Sequence, residues 1–163
     1  MRRRHLRSVM AIERRVYTRP WSPALFLAEM ADPANRCYLV ARLEGEVVGY
    51  GGAIVYDGEA HVTNVAVAPE HQRRGIAARL LHDLIAGSIE LGAETVALEV
   101  RVTNWAAQRL YARFGFRPVG IRRNYYQDVG EDALIMWVDD VRTDGFRARL
   151  RREADRMPEA VRP

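Results

Sequence analysis

The segment Val62–Ala77 constrains the fold of this chain more than any other stretch. It begins as an apolar strand, turns at Pro69, and continues through the loop Gln72–Ala77 into a helix with regular apolar spacing. The first backbone N–H groups of a helix have no partner within it, and the helix dipole adds positive charge there. Gly75 lacks a Cβ, so a ligand can approach the backbone closely. The segment therefore predicts a strand–loop–helix unit with a phosphate site at the helix start.

Arg73 and Arg74 add positive charge to this loop. Its sequence, QRRGIA, matches the pattern [Q/R]-x-x-G-x-[G/A]. The alternative is an ordinary strand–loop–helix whose two arginines are solvated. A nucleotide P-loop is disfavoured, because the GxxxxGK[ST] motif is missing and the chain has no lysine. The dinucleotide pattern GxGxxG is missing as well.

The composition is that of one globular domain of 163 residues with a net charge of +4. All 25 basic residues are arginine, which suits phosphate recognition but does not by itself indicate nucleic-acid binding. No apolar run is long enough to span a membrane, and the N-terminus lacks the apolar core of a secretory signal. We therefore expect a cytoplasmic protein with no membrane partner. Cys37 is the only cysteine, and its apolar neighbours favour a core position.

Periodicity and turn residues predict the order of the elements. The predicted helices are Arg4–Tyr17, Ser22–Met30, Gly75–Leu91 and Asn104–Phe114. The predicted strands are Cys37–Leu43, Val47–Tyr56, Ala60–Val67, Thr95–Val100, Phe116–Arg122 and Ala133–Val138. The third and fourth strands should be parallel because a helix connects them, whereas hairpins make the rest antiparallel. The fold class is α+β, with a mixed, mostly antiparallel sheet and helices on both faces.

Two side chains on predicted elements could carry acid–base chemistry. Glu99 lies in the middle of an apolar strand, where an unpaired carboxylate is costly. It is either a general base whose pKa burial raises, or half of an ion pair with an arginine such as Arg101. Tyr111 lies on the apolar face of its helix and is either a core aromatic or a general acid. Spacing alone does not decide between these alternatives.

Asn104 stands where the fourth strand gives way to a helix. It is either an N-cap or an amide that binds the arm of a ligand. The backbone of Val65–Val67 could bind that arm too, if the neighbouring strands separate. The four histidines show no metal-ligand spacing, so we expect no metal, although His61 could reach the cleft.

Three blocks in the order NVAVAPEHQRRGIAARLL, LEVRVTNWAAQRLYARFGF and GIRRNYYQDVGEDALIM resemble the RimI family of GNAT enzymes, the ribosomal-protein-alanine N-acetyltransferases. The resemblance covers Leu6 to Val138 and implies the GNAT fold with acetyl-CoA as co-substrate. It places an acetyltransferase domain at residues 1–141 and leaves an Arg-rich extension at 142–163, which we expect to be a solvated helix or disordered. The family usually opens with a strand before its first helix, and this chain lacks that pattern.

The resemblance also implies roles for individual residues. The catalytic base falls on Glu99 and the general acid on Tyr111. The residues that would bind acetyl-CoA are Val65, Ala66, Val67, Arg73, Arg74, Gly75, Ile76, Ala77, Ala78 and Asn104. The residues that would border the peptide substrate are Trp21, Tyr125 and Tyr126.

The function implied by the resemblance is direct transfer of acetyl from acetyl-CoA to the N-terminal α-amine of a protein, with ribosomal Ala- or Ser-starting N-termini favoured. Alternatives stay open at this stage. One is a GNAT enzyme for a small-molecule amine, and another is an acetyl-CoA-binding module without turnover. A third is an RNA-associated module that works through the arginine tail, although no direct nucleic-acid contact is expected.

Overall fold

The computed structural model describes residues 1–158. Its six strands form one sheet in the order β1-β2-β3-β4-β6-β5. The strands are β1 Arg36–Leu43, β2 Glu46–Tyr56, β3 Glu59–Val67, β4 Thr95–Arg101, β5 Arg117–Tyr126 and β6 Glu131–Val138. The α-helices are α1 Leu6–Val16, α2 Pro23–Glu29, α3 Ile76–Glu90, α4 Trp105–Arg113 and α5 Asp144–Asp155. Within residues 1–158 no strand precedes α1, so β1 forms one edge of the sheet.

Only β3 and β4 run parallel, and every other neighbouring pair is antiparallel. Tight turns at Glu44–Gly45 and Asp57–Gly58, all in the left-handed region, join β1 to β2 and β2 to β3. The connection from β3 to β4 instead passes through α3, as a parallel pair requires. The predicted mixed, mostly antiparallel sheet is therefore confirmed.

Helices cover both faces of the sheet. On one face, α1 and α2 bury Val9, Ile12 and Phe26 against Tyr50 of β2. On the other face, α3 and α5 enclose the larger core, in which Leu81, Leu84, Phe146 and Leu150 meet the apolar side chains of β4 and β6. Because side chains alternate along a strand, Leu98 and Val100 of β4 enter the larger core while Glu99 points to the face of α1.

The C-terminal extension differs from our expectation. It is helical, which was one of the two alternatives, but it is not solvated. Thr143 caps α5, and Phe146, Leu150 and Met157 are buried in the larger core. Glu153 is also buried and is neutralised by Arg113 of α4 at 2.8 Å and by Arg156. Residues 144–158 thus complete the core of the domain, while the prediction for residues 159–163 lies outside the described residues.

β5 is longer than predicted and extends to Tyr126 rather than Arg122. The sequence RRNYY did not predict this continuation, because it lacks the alternation of apolar and polar residues that is typical of a strand. The strand keeps its pairing to β6 through an irregularity at Asn124, which has a positive φ of 50° and donates its N–H to Asp132. This local bend places Tyr125 and Tyr126 beside the end of β4.

Candidate active site

The parallel strands β3 and β4 separate along their length. They pair only from Glu59 to His61 on β3 and from Thr95 to Ala97 on β4. Beyond this point a gap of about 200 Å³ opens between the two strands. The gap is lined by Val16, Tyr17, Val62, Thr63, Asn64, Val65, Leu98, Glu99, Val100, Arg101, Asn104, Ala107, Tyr111 and Tyr126.

The backbone of β3 presents polar groups to this gap. The Val65 carbonyl accepts a bond from the Tyr17 hydroxyl at 3.4 Å, and the Val67 carbonyl accepts one from the Gln72 amide at 3.1 Å. Both carbonyls therefore point away from β2. The N–H of a strand residue points to the same side as its carbonyl, so the N–H groups of Val65 and Val67 point away from β2 as well, and Val65 lines the gap. Ala66 turns its backbone towards β2, where it pairs with Tyr50.

The predicted phosphate loop leads into α3. Gly75 is the N-cap residue with a left-handed φ of 83°, and no side chain caps the first N–H groups of the helix. Arg73 also has a positive φ and is exposed together with Arg74, whose guanidinium lies 3.2 Å from the His71 ring. The side chains of the next residues, Ile76 and Ala78, are buried in the cores. Any contact of those two residues with an anion is therefore made through the backbone.

Glu99 lies at the closed end of the gap, with only 6% of its side chain exposed. Its carboxylate contacts His61 Nε2 at 2.8 Å and Arg122 at 3.4 Å. Burial alone would raise the pKa of Glu99, but the hydrogen bond and charge of His61 and the charge of Arg122 outweigh it and hold the pKa below its usual value. The expectation of a raised pKa is therefore wrong. The ion-pair alternative is confirmed, but the arginine is Arg122 and not the suggested Arg101, which lies 3.6 Å from Glu131 and over the Tyr126 ring.

Tyr111 lines the gap together with Glu99. Its ring packs against Phe116 at a centroid distance of 5.9 Å, so the side chain belongs partly to the core. Burial, with a smaller contribution from Tyr126, raises the pKa of Tyr111 to about 12. The hydroxyl therefore stays protonated at neutral pH and can donate a proton.

Asn104 serves as the N-cap of α4, because its Oδ1 accepts a bond from the Ala107 N–H at 3.1 Å. The N-cap alternative for Asn104 is therefore confirmed. Asn104 also lines the gap, so its NH₂ group is the part that could bind a ligand there.

A second cavity of about 280 Å³ adjoins the gap on the face of α1. Trp21, Tyr125 and Tyr126, which were predicted to border a peptide, all line it. It shares Glu99 and several neighbours with the gap, so Glu99 borders both spaces. A larger cavity, of about 610 Å³, lies between α1 and the β1–β2 turn and is lined by none of these residues.

Sequence reasoning gave Tyr17 no role, whereas it named His61 as a residue that could reach the cleft, and His61 does line the 280 Å³ cavity. Tyr17 closes one side of the gap, and burial raises its pKa. His61 sits beside Glu99 because it pairs in register with Ala97 on the parallel strand, two residues before Glu99. The parallel β3–β4 pairing was predicted, so the alternation of side chains on both strands could have suggested this neighbour.

The described residues contain no group of three or more histidine, cysteine, aspartate or glutamate side chains that could hold a metal ion. In the same part of the chain, every helix is too short or too polar to cross a membrane.

Comparison with known proteins decides the family. The model of the Acetyltransferase (GNAT) family matches residues 6–116, more than half of the chain. The chain belongs to the GNAT acetyltransferase family. This confirms the fold, the family and the acyltransferase class predicted from the sequence.

Two relatives indicate which GNAT enzymes this chain is similar to. The chain is 42% identical over 123 residues to the N-alpha-acetyltransferase RimI of Mycobacterium tuberculosis, covering 72% of this chain and 74% of that protein. It is 39% identical over 127 residues to the ribosomal protein bS18-alanine N-acetyltransferase of Escherichia coli, covering 77% of this chain and 84% of that protein.

Solved structures of GNAT enzymes have the same fold as this chain. The crystal structure of the ribosomal-protein-S18-alanine N-acetyltransferase from Escherichia coli has a TM-score of 0.77 at 34% identity, covering 86% of this chain and 90% of the other. A GNAT acetyltransferase from Elizabethkingia anophelis with acetyl-CoA bound shares the fold, with a TM-score of 0.62 at 21% identity, covering 72% and 83% of the two chains.

Proposed function

We propose that this chain transfers an acetyl group from acetyl-CoA to the N-terminal α-amine of a protein, with a ribosomal protein that begins with Ala or Ser as the favoured substrate. The observation that carries the proposal is the position of Glu99 between two adjoining cavities. One cavity opens between β3 and β4, where a thioester can lie along the strand. The other is bordered by aromatic side chains and can admit a chain end. Relatives named for this reaction support the substrate class.

The residues around the gap fit acetyl-CoA. The uncapped start of α3, with Gly75 and two exposed arginines, provides N–H groups and charge for a pyrophosphate. Val65 and Val67 turn their N–H groups away from β2, on the side where the amide-bearing arm can accept bonds from them. When bound, acetyl-CoA supplies a thioester that an amine can attack. A cytoplasmic location is part of the same proposal.

Glu99 removes the proton that the substrate α-ammonium must lose before it can attack. Its lowered pKa keeps the carboxylate ionised at neutral pH, and His61 at 2.8 Å is placed to share or relay the proton. The amine nitrogen then forms a bond to the acetyl carbon as the bond from carbon to sulfur breaks. Val67 N–H polarises the carbonyl oxygen, and Tyr111 gives its proton to the departing thiolate. The nitrogen of the new amide gives its second proton to the Tyr111 phenolate, and Glu99 releases the first proton to solvent, so atoms and charges balance without a covalent enzyme intermediate.

The test is turnover of acetyl-CoA with short peptides whose N-termini are free or blocked. We expect turnover on free Ala- and Ser-starting peptides and none on blocked ones. Glu99→Gln should lower kcat about 10²–10³-fold, because a positioned general base contributes on this order. Glu90→Gln, an exposed glutamate at the end of α3, is the matched control and should leave kcat unchanged.

Three results would contradict the proposal. Turnover on blocked peptides would mean that the α-amine is not the acceptor. Turnover confined to small amines would favour the small-molecule alternative, and acetyl-CoA binding without any turnover would favour a non-catalytic module.

A further inference from the structure

Glu13 is a buried carboxylate that the proposed mechanism does not use. It lies on the inner face of α1 among Val9, Met10 and Ile12, and only 1% of it is exposed. One oxygen, Oε1, accepts a bond from the Trp21 backbone N–H at 2.8 Å. The other, Oε2, is buried and has no hydrogen-bond partner within residues 1–158. Burial raises the pKa of Glu13 and the Trp21 bond only partly opposes this.

Stability does not explain why a carboxylate stands at this position. A buried carboxyl group with a single bond costs more than an apolar side chain of the same size. The bond is not needed to begin α2 either, because the Ser22 hydroxyl already caps that helix by accepting from the Leu25 N–H at 3.1 Å. Residues that lower stability in this way are typical of functional sites.

The bond from Glu13 fixes one end of the loop between α1 and α2. Trp21 is held twice, through its N–H on Glu13 and through its ring, which packs on Phe26 at a centroid distance of 5.2 Å. The middle of the loop is tied to the far side of the cavity, since Thr18 binds Asp128 and receives a bond from Arg101 at 3.2 Å. Those two bonds are exposed, whereas the bond to Glu13 is partly buried, and Glu13 itself lines the inner wall of the cavity.

This loop forms one wall of the 280 Å³ cavity, to which it contributes Tyr17, Thr18, Arg19 and Trp21. A wall that is already ordered does not have to be ordered when the substrate binds, so the substrate avoids that entropy cost. We propose that Glu13 is a positioning residue that holds the α1–α2 loop in its substrate-binding conformation and thereby sets the affinity for the acceptor peptide. This inference rests on the proposed function, because it assigns the cavity to the peptide.

The test compares Glu13→Met with Glu13→Gln in the peptide assay. Methionine keeps the length of the side chain and removes the acceptor, so KM for the peptide should rise about tenfold or more, as expected for a lost bond to a charged group. The kcat and the Kd for acetyl-CoA should not change. Glutamine keeps an oxygen for the Trp21 N–H and should restore a KM close to that of wild type.

Thermal unfolding separates positioning from a structural role. Glu13→Met should have an unchanged or higher Tm, because it removes a buried polar group. Glu153→Met is the matched control, since that buried glutamate lies in α5 and its loss should lower Tm without affecting KM. A peptide KM that stays at the wild-type value in Glu13→Met overturns the inference, whatever the Tm. If wild type neither binds nor acetylates any free peptide, the proposed function fails and this inference fails with it.

Discussion

The phosphate site at the start of α3 can be tested with the two glycines that flank this helix. Gly75 precedes α3 with a φ of 83°, and Gly92 follows it with a φ of 97°. Alanine at either position puts a Cβ on left-handed backbone, which costs about 1–2 kcal/mol. The two substitutions should therefore lower the free energy of unfolding by similar amounts.

Only Gly75→Ala should weaken acetyl-CoA binding. In the proposed complex a phosphate lies against the backbone at Gly75, whereas a Cβ at Gly92 would meet no atom within 4 Å. Losing one backbone hydrogen bond to a charged oxygen costs about 1.5–3 kcal/mol. This corresponds to a rise in Kd of about 10- to 150-fold, since 1.4 kcal/mol is a factor of ten.

The assay is calorimetric titration of each variant with acetyl-CoA, together with denaturant unfolding in the absence of ligand. The expected result is equal destabilisation and unequal affinity. If both variants bind acetyl-CoA as tightly as wild type, the phosphate does not lie at Gly75 and this part of the account is refuted. If both lose affinity equally, the effect comes from helix strain and not from the site.

Two further predictions concern tyrosines. Tyr111→Phe should lower kcat about a hundredfold with little change in the Kd for acetyl-CoA, because it removes the proton donor and keeps the ring packing on Phe116. Stopped-flow turnover measures this effect, and an unchanged kcat would exclude Tyr111 as the general acid. Burial raises the pKa values of Tyr38, Tyr111 and Tyr126 to about 12, so above pH 10 the unfolded chain releases protons that the folded chain keeps. Stability should therefore fall as the pH rises from 10 towards 12, and a urea midpoint that stays constant over this range would contradict it.

Local signals in the sequence sufficed for much of the fold. Ser22 followed by Pro23 marks the start of α2, and the Ser22 hydroxyl does cap it. Gly75 marks the start of α3, where a residue with positive φ is needed. The parallel pairing of β3 and β4 follows from the helix between them. These features depend on a few neighbouring residues, so the sequence alone reveals them.

The features that depend on distant residues were harder to predict. The pKa of Glu99 is lowered because His61 and Arg122 reach it from β3 and β5, and no local pattern shows both partners. The burial of α5 was missed because arginines separate Phe146 from Leu150, and because Glu153 is neutralised by Arg113, 40 residues earlier. In both cases a charged residue finds its partner only in the folded chain.

The most direct measurement is tandem mass spectrometry of the peptide product, using an Ala-starting peptide that also contains an internal lysine. We expect the acetyl group on the α-nitrogen of the first residue, because the reacting amine must reach Glu99 through the cavity of about 280 Å³ bordered by Trp21, Tyr125 and Tyr126. Acetyl found on the lysine side chain, with the α-amine unmodified, would contradict transfer to the N-terminal α-amine.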